Sequence, residues 1–241
     1  MILKYAGELF NKDSIKEILS VIHKLLGQVA KGSFDRVKRL SYLDNEQYER
    51  LIKEWNRTDK DYPSDKTIQA LFEEQVEKSG DSIAVVYEDK QLSYNELNER
   101  SNQLAHYLIK YYGVRADTLV ALCLDRSEQM LISILAVLKA GGAYVPMDPE
   151  YPDERIEYIV RDTGSVVVIT NGIYKERLEE IVSSNVYNGS DGRSKDNRDK
   201  ILAVDSEVLW NDVCTEEKVN PNTSTGSNNL AYVIYTSGTT G

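Results

Sequence analysis

Four short apolar runs, separated by helix-like segments, constrain the fold of this chain most strongly. They are IAVVY at 83–87, TLVALCL at 118–124, AYV at 143–145 and SVVVIT at 165–170. Strands that are apolar throughout, rather than alternating with polar residues, are typical of sheets that are covered on both faces, and such sheets are mostly parallel. The pattern therefore predicts an α/β fold, a mostly parallel sheet with helices on both faces.

The segments between these runs carry helix signals. A helix is predicted from about residue 66 to 78, and Gly80 ends it. Ser93 and Glu96 have the spacing of a capping box, so the segment LSYNELN at 92–98 is interpreted as the capped start of a long helix. The helix predicted at 127–139 is apolar nearly all round and is expected to be buried. Pro152 can occupy the first position of a further helix.

The first part of the chain predicts a short helical segment. Apolar residues recur on one face from 14 to 31, with Asp13 as N-cap and Gly32 as stop. A second helix follows Asp44, with Gln47 placed to close a capping box, and runs to about residue 55. The polar stretch NRTDKDYPSD then indicates a linker. We therefore predict two parts, residues 1–62 and residues 63–241.

Charge and composition exclude several classes of protein. The formal net charge is −10, and an acidic surface repels phosphate backbones, so we expect no nucleic-acid partner. The first residues, MILKYAGELF, lack the apolar core of a signal peptide, and no apolar run is long enough to cross a bilayer. With only Cys123 and Cys214, no disulfide framework is indicated. The expected location is cytoplasmic.

The sharpest candidate site is the sequence Thr236-Ser237-Gly238-Thr239-Thr240-Gly241. It follows LAYVIY at 230–235, which is predicted to be a buried strand. Glycines let successive backbone N–H groups point at one anion, and hydroxyls add short donors, so this loop can bind phosphate. It is not a Walker loop. The alternative, a flexible tail of glycine and hydroxyl residues, stays open on local composition alone.

Other residues are interpreted as structural. In LKAGGAYVPMDPEYP at 138–152 we expect a helix stop, a strand and a proline-fixed turn that Asp148 braces. His23 and His106 lie in predicted helices, and no cluster has metal-ligand spacing. The polar residues 183–200 are interpreted as a mobile surface loop. No residue is assigned as catalytic, and none as a metal ligand.

Three segments occur together and in one order: LSYNEL, LKAGGAYVPMDPEYP and LAYVIYTSGTTG. They resemble the first three core motifs of nonribosomal peptide synthetase adenylation domains, which are AMP-binding, acyl-adenylate-forming enzymes, and the resemblance covers about residues 62–241. The run from 5 to 63 resembles the C-terminal end of a condensation domain and its linker. The resemblance thus implies an incomplete large subdomain of an acyl-adenylate-forming enzyme, preceded by a condensation-domain tail.

The family implies a reaction and its partners. An amino acid is activated with ATP and Mg²⁺ to aminoacyl-AMP and then passes to phosphopantetheine on a neighbouring carrier domain, not on this chain. The loop Thr236–Gly241 would bind the ATP phosphates. In the family this loop continues with Pro-Lys-Gly, and the later motifs also lie downstream, so we expect the chain alone to be inactive. The alternatives are a non-catalytic or split-enzyme subunit that works with a partner synthetase chain, and a fragment of an acyl-CoA or aryl-acid ligase.

Overall fold

The computed structural model describes residues 4–32, 37, 40–183 and 200–236. Within it the chain divides into two compact units, Met1–Tyr62 and Pro63–Gly241. The assignment of residues 1–62 to a condensation-domain tail stays a prediction. Most of the segment interpreted as a mobile loop, residues 184–199, lies outside the described residues.

The first unit contains the two predicted helical segments. Helix α1 spans Lys12–Ala30, and its N-cap is Asn11, whose Oδ1 accepts from the N–H of Ser14, so the predicted cap Asp13 is wrong by two residues. Helix α2, Asn45–Tyr48, has the predicted capping box between Asp44 and Gln47. It continues as a π-helical segment, Glu49–Glu54. The Gln28 amide donates to the carbonyl of Ser41 at 2.7 Å and accepts from its N–H at 3.0 Å, which ties α1 to the following chain.

The second unit alternates strands and helices as predicted. Its elements in order are α3 Ile68–Ser79, β1 Ile83–Tyr87, β2 Lys90–Ser93, α4 Tyr94–Tyr112, β3 Leu119–Cys123, α5 Glu128–Lys139, β4 Ala143–Pro146, α6 Asp153–Thr163, β5 Val168–Thr170, α7 Gly172–Ser183, β6 Ile201–Ala203 and α8 Glu207–Val213. The capping box of Ser93 and Glu96 opens α4. Pro152 is the N-cap of α6, one position before the predicted one. Within the described residues, no helix is both long and apolar enough to span a membrane.

The predicted α/β fold class is confirmed. Strands β4, β3, β5 and β6 form a parallel sheet in that order. Alternate residues of β3 enter different cores. Val120 and Leu122 pack with residues of α4, α5 and α8 on one face, whereas Ala121 and Cys123 pack with residues of α6 and α7 on the other. Helices therefore cover both faces, which explains why β3 is apolar throughout.

Several elements were not predicted from the sequence. Strand β1 pairs antiparallel with β2 in a separate two-stranded hairpin, and β2 was not predicted because it overlaps the polar start of the capped α4 motif. Strand β6 has three residues and follows a polar segment, so it gave no pattern long enough to recognise. Helices α7 and α8 have mixed polar and apolar surfaces, and neither was assigned from sequence.

The predicted buried strand at residues 230–235 is wrong. It forms only an isolated parallel bridge between Tyr232 and Tyr144 at the free edge of β4, and Tyr232 is half-exposed. Tyr144 N–H donates to the carbonyl of Ala231, and Val233 N–H donates to the carbonyl of Tyr144. In a parallel ladder the next partners on β4 would be two residues away on either side. Pro146 has no N–H, and Gly142 N–H donates to the carbonyl of Val137 at 2.9 Å, so the ladder stops at one bridge.

The two cysteines differ in environment. Cys123 lies in β3 and is 1% exposed, and burial raises the pKa of its thiol to about 11. The thiolate is the reactive form, so a buried thiol with a raised pKa is unreactive near neutral pH. Cys214 is exposed at the end of α8.

We predict that iodoacetamide at neutral pH modifies Cys214 and leaves Cys123 unmodified in the native protein. Peptide mass spectrometry of the alkylated chain provides the measurement. A sample alkylated in guanidinium chloride is the control, and both thiols should react in it. Native labelling of Cys123 at the rate of Cys214 would contradict the buried placement of β3.

Candidate functional site

The carboxyl ends of the parallel strands form the edge at which open α/β sheets bind ligands. At this edge, the loop that follows β3 is hydrogen-bonded to the residues that follow β5. Asp125 N–H donates to Oδ1 of Asn171 at 2.8 Å, and the Tyr174 hydroxyl contacts both carboxylate oxygens of Asp125 at 3.0 and 3.1 Å. The hydrogen bond to Asp125 is the main cause that raises the pKa of Tyr174.

The turn after β4 is braced as predicted, and an arginine that the sequence did not suggest completes it. Oδ1 of Asp148 accepts from the N–H of Glu150 at 2.9 Å. Arg177 of α7 donates to the carbonyls of Pro149 and Tyr151 at 2.6 and 2.7 Å, and it forms an ion pair with Asp153 at 2.6 Å. The guanidinium is thus committed to holding the turn. Asp148 is therefore structural, in agreement with the sequence interpretation.

Three carboxylates lie at this edge. Asp125, Asp148 and Asp205 follow β3, β4 and β6, and the Asp205 carboxylate accepts from the N–H of Gly172 at 2.7 Å. Among the described residues, no group of three or more histidines, cysteines or carboxylates could hold a metal ion. An anionic ligand at this edge would need donors other than these side chains.

Residues 214–229 form a connection without regular secondary structure, which we call the strap; it carries the chain from α8 to the edge of β4. Side chains of α4 satisfy its backbone. The Gln103 amide donates to the carbonyl of Cys214 at 2.8 Å, and the Asn102 amide donates to the carbonyl of Lys218 at 2.7 Å. Asn102 is fully buried, and its amide also contacts Oδ1 of Asn220 at 2.9 Å. These contacts replace the hydrogen bonds that a helix or strand would supply.

A buried lysine at the end of α5 also contacts the strap. The Nζ of Lys139, at the end of α5, lies 2.7 Å from Oε1 of Glu73, 2.8 Å from Oδ1 of Asn98 and 3.2 Å from Oδ1 of Asn220. Burial lowers the pKa of Lys139, and the Glu73 carboxylate acts in the opposite direction. The contacts of Lys139 were not predicted from the sequence. The available signal was a lysine at the end of a mostly apolar helix.

The strap leaves this region over Gly141 and reaches Asp117. Gly141 has φ +90°, and a Cβ built on it would lie 2.8 Å from Oγ1 of Thr225, so both backbone conformation and space require glycine. The Asp117 carboxylate accepts from Nδ2 of Asn229 at 2.9 Å and from the N–H of Leu230 at 2.8 Å. The chain then forms its bridge to Tyr144, parallel to β4.

The segment after this bridge leads to the predicted phosphate loop. Because it runs parallel to β4, it advances toward the carboxyl edge of the sheet. The Tyr235 hydroxyl donates to Oδ2 of Asp162 in α6, and the Tyr235 and Tyr158 rings meet edge-on with centroids 6.2 Å apart. Of the six predicted phosphate-binding residues, Thr236 is described. The others, Ser237, Gly238, Thr239, Thr240 and Gly241, lie outside the described residues, and phosphate binding by the loop stays a prediction.

Comparison with known proteins identifies the class. The family model described as AMP-binding enzyme matches residues 72–241, so the chain belongs to the AMP-binding enzyme family. Within that family it is similar to nonribosomal peptide synthetases. It is 43% identical to N-(5-amino-5-carboxypentanoyl)-L-cysteinyl-D-valine synthase of Amycolatopsis lactamdurans, covering 99% of this chain and 6% of the relative. It is 39% identical to bacitracin synthase 3 of Bacillus licheniformis, covering 100% of this chain and 3% of the relative.

A solved structure supports the fold. The nonribosomal peptide synthetase FmoA3, in its alpha-methyl-L-serine-AMP bound form, superposes with a TM-score of 0.65 at 22% identity, over 94% of this chain and 24% of that one. The predicted resemblance to the adenylation domain is confirmed, and residues 72–241 are an AMP-binding domain of the adenylation type. The chain spans a small share of these relatives, and the condensation-domain resemblance of its first part stays a prediction.

We predict that Lys139→Met lowers the free energy of unfolding by about 3 kcal/mol, because it leaves Glu73 and two amide oxygens without their buried cation. Lys218→Met is the matched control. Lys218 lies in the strap and pairs with Glu99 of α4 at 2.7 Å, but both side chains are about half exposed, and exposed ion pairs contribute little to stability. Urea unfolding midpoints provide the measurement. Equal stability of the two variants would contradict a strap held by Lys139.

We predict that Gly141→Ala destabilises the protein more than Gly113→Ala does. Both glycines have positive φ, so both substitutions carry backbone strain of about 1–2 kcal/mol. Nothing lies within 4 Å of a Cβ at Gly113, whereas Gly141 meets Thr225 and the backbone of Ala116. The additional overpacking should cost about 1 kcal/mol or more in urea unfolding. A smaller loss for Gly141→Ala than for Gly113→Ala would show that the strap does not lie against Gly141.

Proposed function

We propose that this chain takes part in the activation of an amino acid by ATP, and that its loop Thr236–Gly241 binds the triphosphate. In the reaction, a carboxylate oxygen of the amino acid forms a bond to the α-phosphorus of ATP. The bond from that phosphorus to the bridging oxygen breaks, and pyrophosphate leaves with the electron pair. The product is aminoacyl-AMP. Membership of the AMP-binding enzyme family, together with whole-length similarity to peptide synthetases, is the observation that carries this proposal.

The residues proposed to bind the ATP phosphates are Thr236, Ser237, Gly238, Thr239, Thr240 and Gly241. The described geometry supports this assignment, because the bridge to Tyr144 directs the chain parallel to β4 and toward the carboxyl edge. Ligands of open α/β sheets bind at that edge. Backbone amides of a loop rich in glycine, together with its hydroxyls, can converge on phosphate oxygens there.

The electrostatics of the edge favour such a main-chain site. The carboxylates of Asp125, Asp148 and Asp205 repel a triphosphate, and Arg177 is engaged by the Pro149–Asp153 turn. Donors fixed in the backbone add positive potential without adding a titratable cation. Mg²⁺, when it accompanies ATP, neutralises part of the phosphate charge. No described residue is assigned to the metal.

The complete pathway involves further domains. In the second step, the thiol sulfur of phosphopantetheine on a carrier domain forms a bond to the acyl carbon, AMP leaves, and the thiol proton passes to a base. The proposed division is a condensation-domain tail at residues 1–62 and the adenylation region at 63–241. The proposed location is cytoplasmic.

A second candidate function is that of a subunit that works only with a partner synthetase chain. Leu230, Tyr232 and Ile234 favour it, because these apolar side chains are about half exposed along one side of the segment that leads to the loop. In that case ATP binding should be weak for the chain alone and should strengthen when the polypeptide encoded by the adjacent reading frame is added.

We predict that Gly238→Asp weakens Mg-ATP binding by about tenfold or more, because a carboxylate within the loop repels the polyphosphate. AMP, with one phosphate, should lose less affinity. Gly226→Asp is the matched control: it adds the same charge in the strap, where nothing lies within 4 Å of a Cβ. Isothermal titration calorimetry gives the dissociation constants. Equal ATP affinity in the two variants would contradict phosphate binding by the loop.

A further inference from the structure

The segment from 230 to 236 has little backbone pairing to fix its position. Its one bridge to β4 cannot extend, since Pro146 lacks an N–H and the Gly142 N–H is already used. Alternate side chains of the segment nevertheless face different surroundings: Tyr232 and Ile234 are about half exposed, whereas Val233 and Tyr235 pack against the core shared with α6 and α7. Side-chain contacts must therefore fix the segment beyond the bridge.

Tyr235 makes the last of these described contacts before the loop. Its hydroxyl donates to the carboxylate of Asp162, and its ring meets Tyr158 at an interplanar angle of 85°. Burial and, next, the hydrogen bond to Asp162 raise the pKa of Tyr235 to about 12. Both partners lie on α6, on the side of the sheet away from the strap contacts of α4 and α5. The hydroxyl therefore stays protonated, and so stays a donor, throughout the neutral range.

We propose that Tyr235 and Asp162 are positioning residues for the phosphate loop and fix the direction in which the chain enters it. Thr236 is covalently attached to Tyr235, so a shift of the tyrosine moves the first residue of the loop directly. This inference rests on the proposed function of Thr236–Gly241, and it adds two residues that lie outside the loop itself.

A fixed entry point matters for a loop of this composition. The five residues after Thr236 include Gly238 and Gly241, and glycine loses more conformational freedom on ordering than any other residue. Anchoring the residue before the loop lowers the entropy that ligand binding must still remove. The anchor acts through the tyrosine and not through a contact with the ligand, so its loss should weaken polyphosphate binding without removing a phosphate donor.

The test compares variants that remove one atom or one acceptor. Tyr235→Phe removes the hydroxyl, Asp162→Ala removes the acceptor, and Asp162→Asn keeps an oxygen that can accept the same bond. Tyr232→Phe is the matched control, because it removes a hydroxyl from the outward side of the same segment. The double variant Tyr235→Phe with Asp162→Ala shows whether the two side chains act as one unit.

The first readout is the dissociation constant of Mg-ATP. Tyr235→Phe and Asp162→Ala should each weaken binding, by at most about fivefold, because an effect through loop ordering cannot exceed the free energy of the one hydrogen bond removed. The double variant should be no weaker than either single variant, and Asp162→Asn should stay within about twofold of the wild type. Tyr232→Phe should be unchanged. Urea midpoints should move little in all variants, because the contact is at the surface.

The second readout does not require ATP. The backbone amide resonances of Gly238 and Gly241, measured by nuclear magnetic resonance, should shift in Tyr235→Phe and Asp162→Ala and should stay in place in Tyr232→Phe. Unchanged resonances, or a loss of ATP affinity that merely follows a loss of stability, would overturn the positioning role. If the wild type binds no ATP while the resonances shift as expected, the proposed function fails and the positioning of the loop stands.

Discussion

The parallel hydrogen bonding of β3 on both of its sides is the constraint on which the second unit depends. Strand β4 pairs with one edge of β3 and β5 with the other. Because this central strand is also apolar on both faces, helices must cover both, and its alternate residues enter the two cores. Asp125 lies two residues after this strand and bonds to Asn171 after β5, so the paired strands set the position of the loop at the carboxyl edge.

The strap, in contrast, has no regular secondary structure, so its backbone polar groups need partners outside a helix or sheet. Its polar groups would be costly if they were buried without partners. The chain solves this with side chains from two of its sequence motifs. Asn98 ends the segment LSYNELN, and Lys139 lies in LKAGG; they meet at 2.8 Å, and both contact Asn220 of the strap. Two motifs interpreted as structural thus hold the connection that leads to the third, which carries the candidate loop.

What could be predicted from the sequence is what short stretches of chain determine by themselves. The apolar run of β3, the capping box of Ser93 and Glu96, and the turn braced by Asp148 each carry their signal within a few residues. The strand predicted at 230–235 failed because ladder formation depends on the partner, and Pro146 and Gly142 cannot pair there. Lys139 was missed for a related reason. A lysine near a helix C-terminus looks like an ordinary partner of the helix dipole, and only the fold brings Glu73 and Asn220 to it.

The interrupted ladder at β4 has a consequence for ligand binding. A fully paired strand would hold the segment before the loop by several backbone hydrogen bonds and would move only at a large free-energy cost. With a single bridge, the segment belongs to the low-stability part of the fold, from which ligand-binding loops are drawn. Side-chain contacts such as that between Tyr235 and Asp162 then set its position with modest energies. Pro146 ends the backbone ladder on this side. The position of the chain where it enters the loop therefore depends on side-chain contacts with α6 and not on further pairing with the sheet.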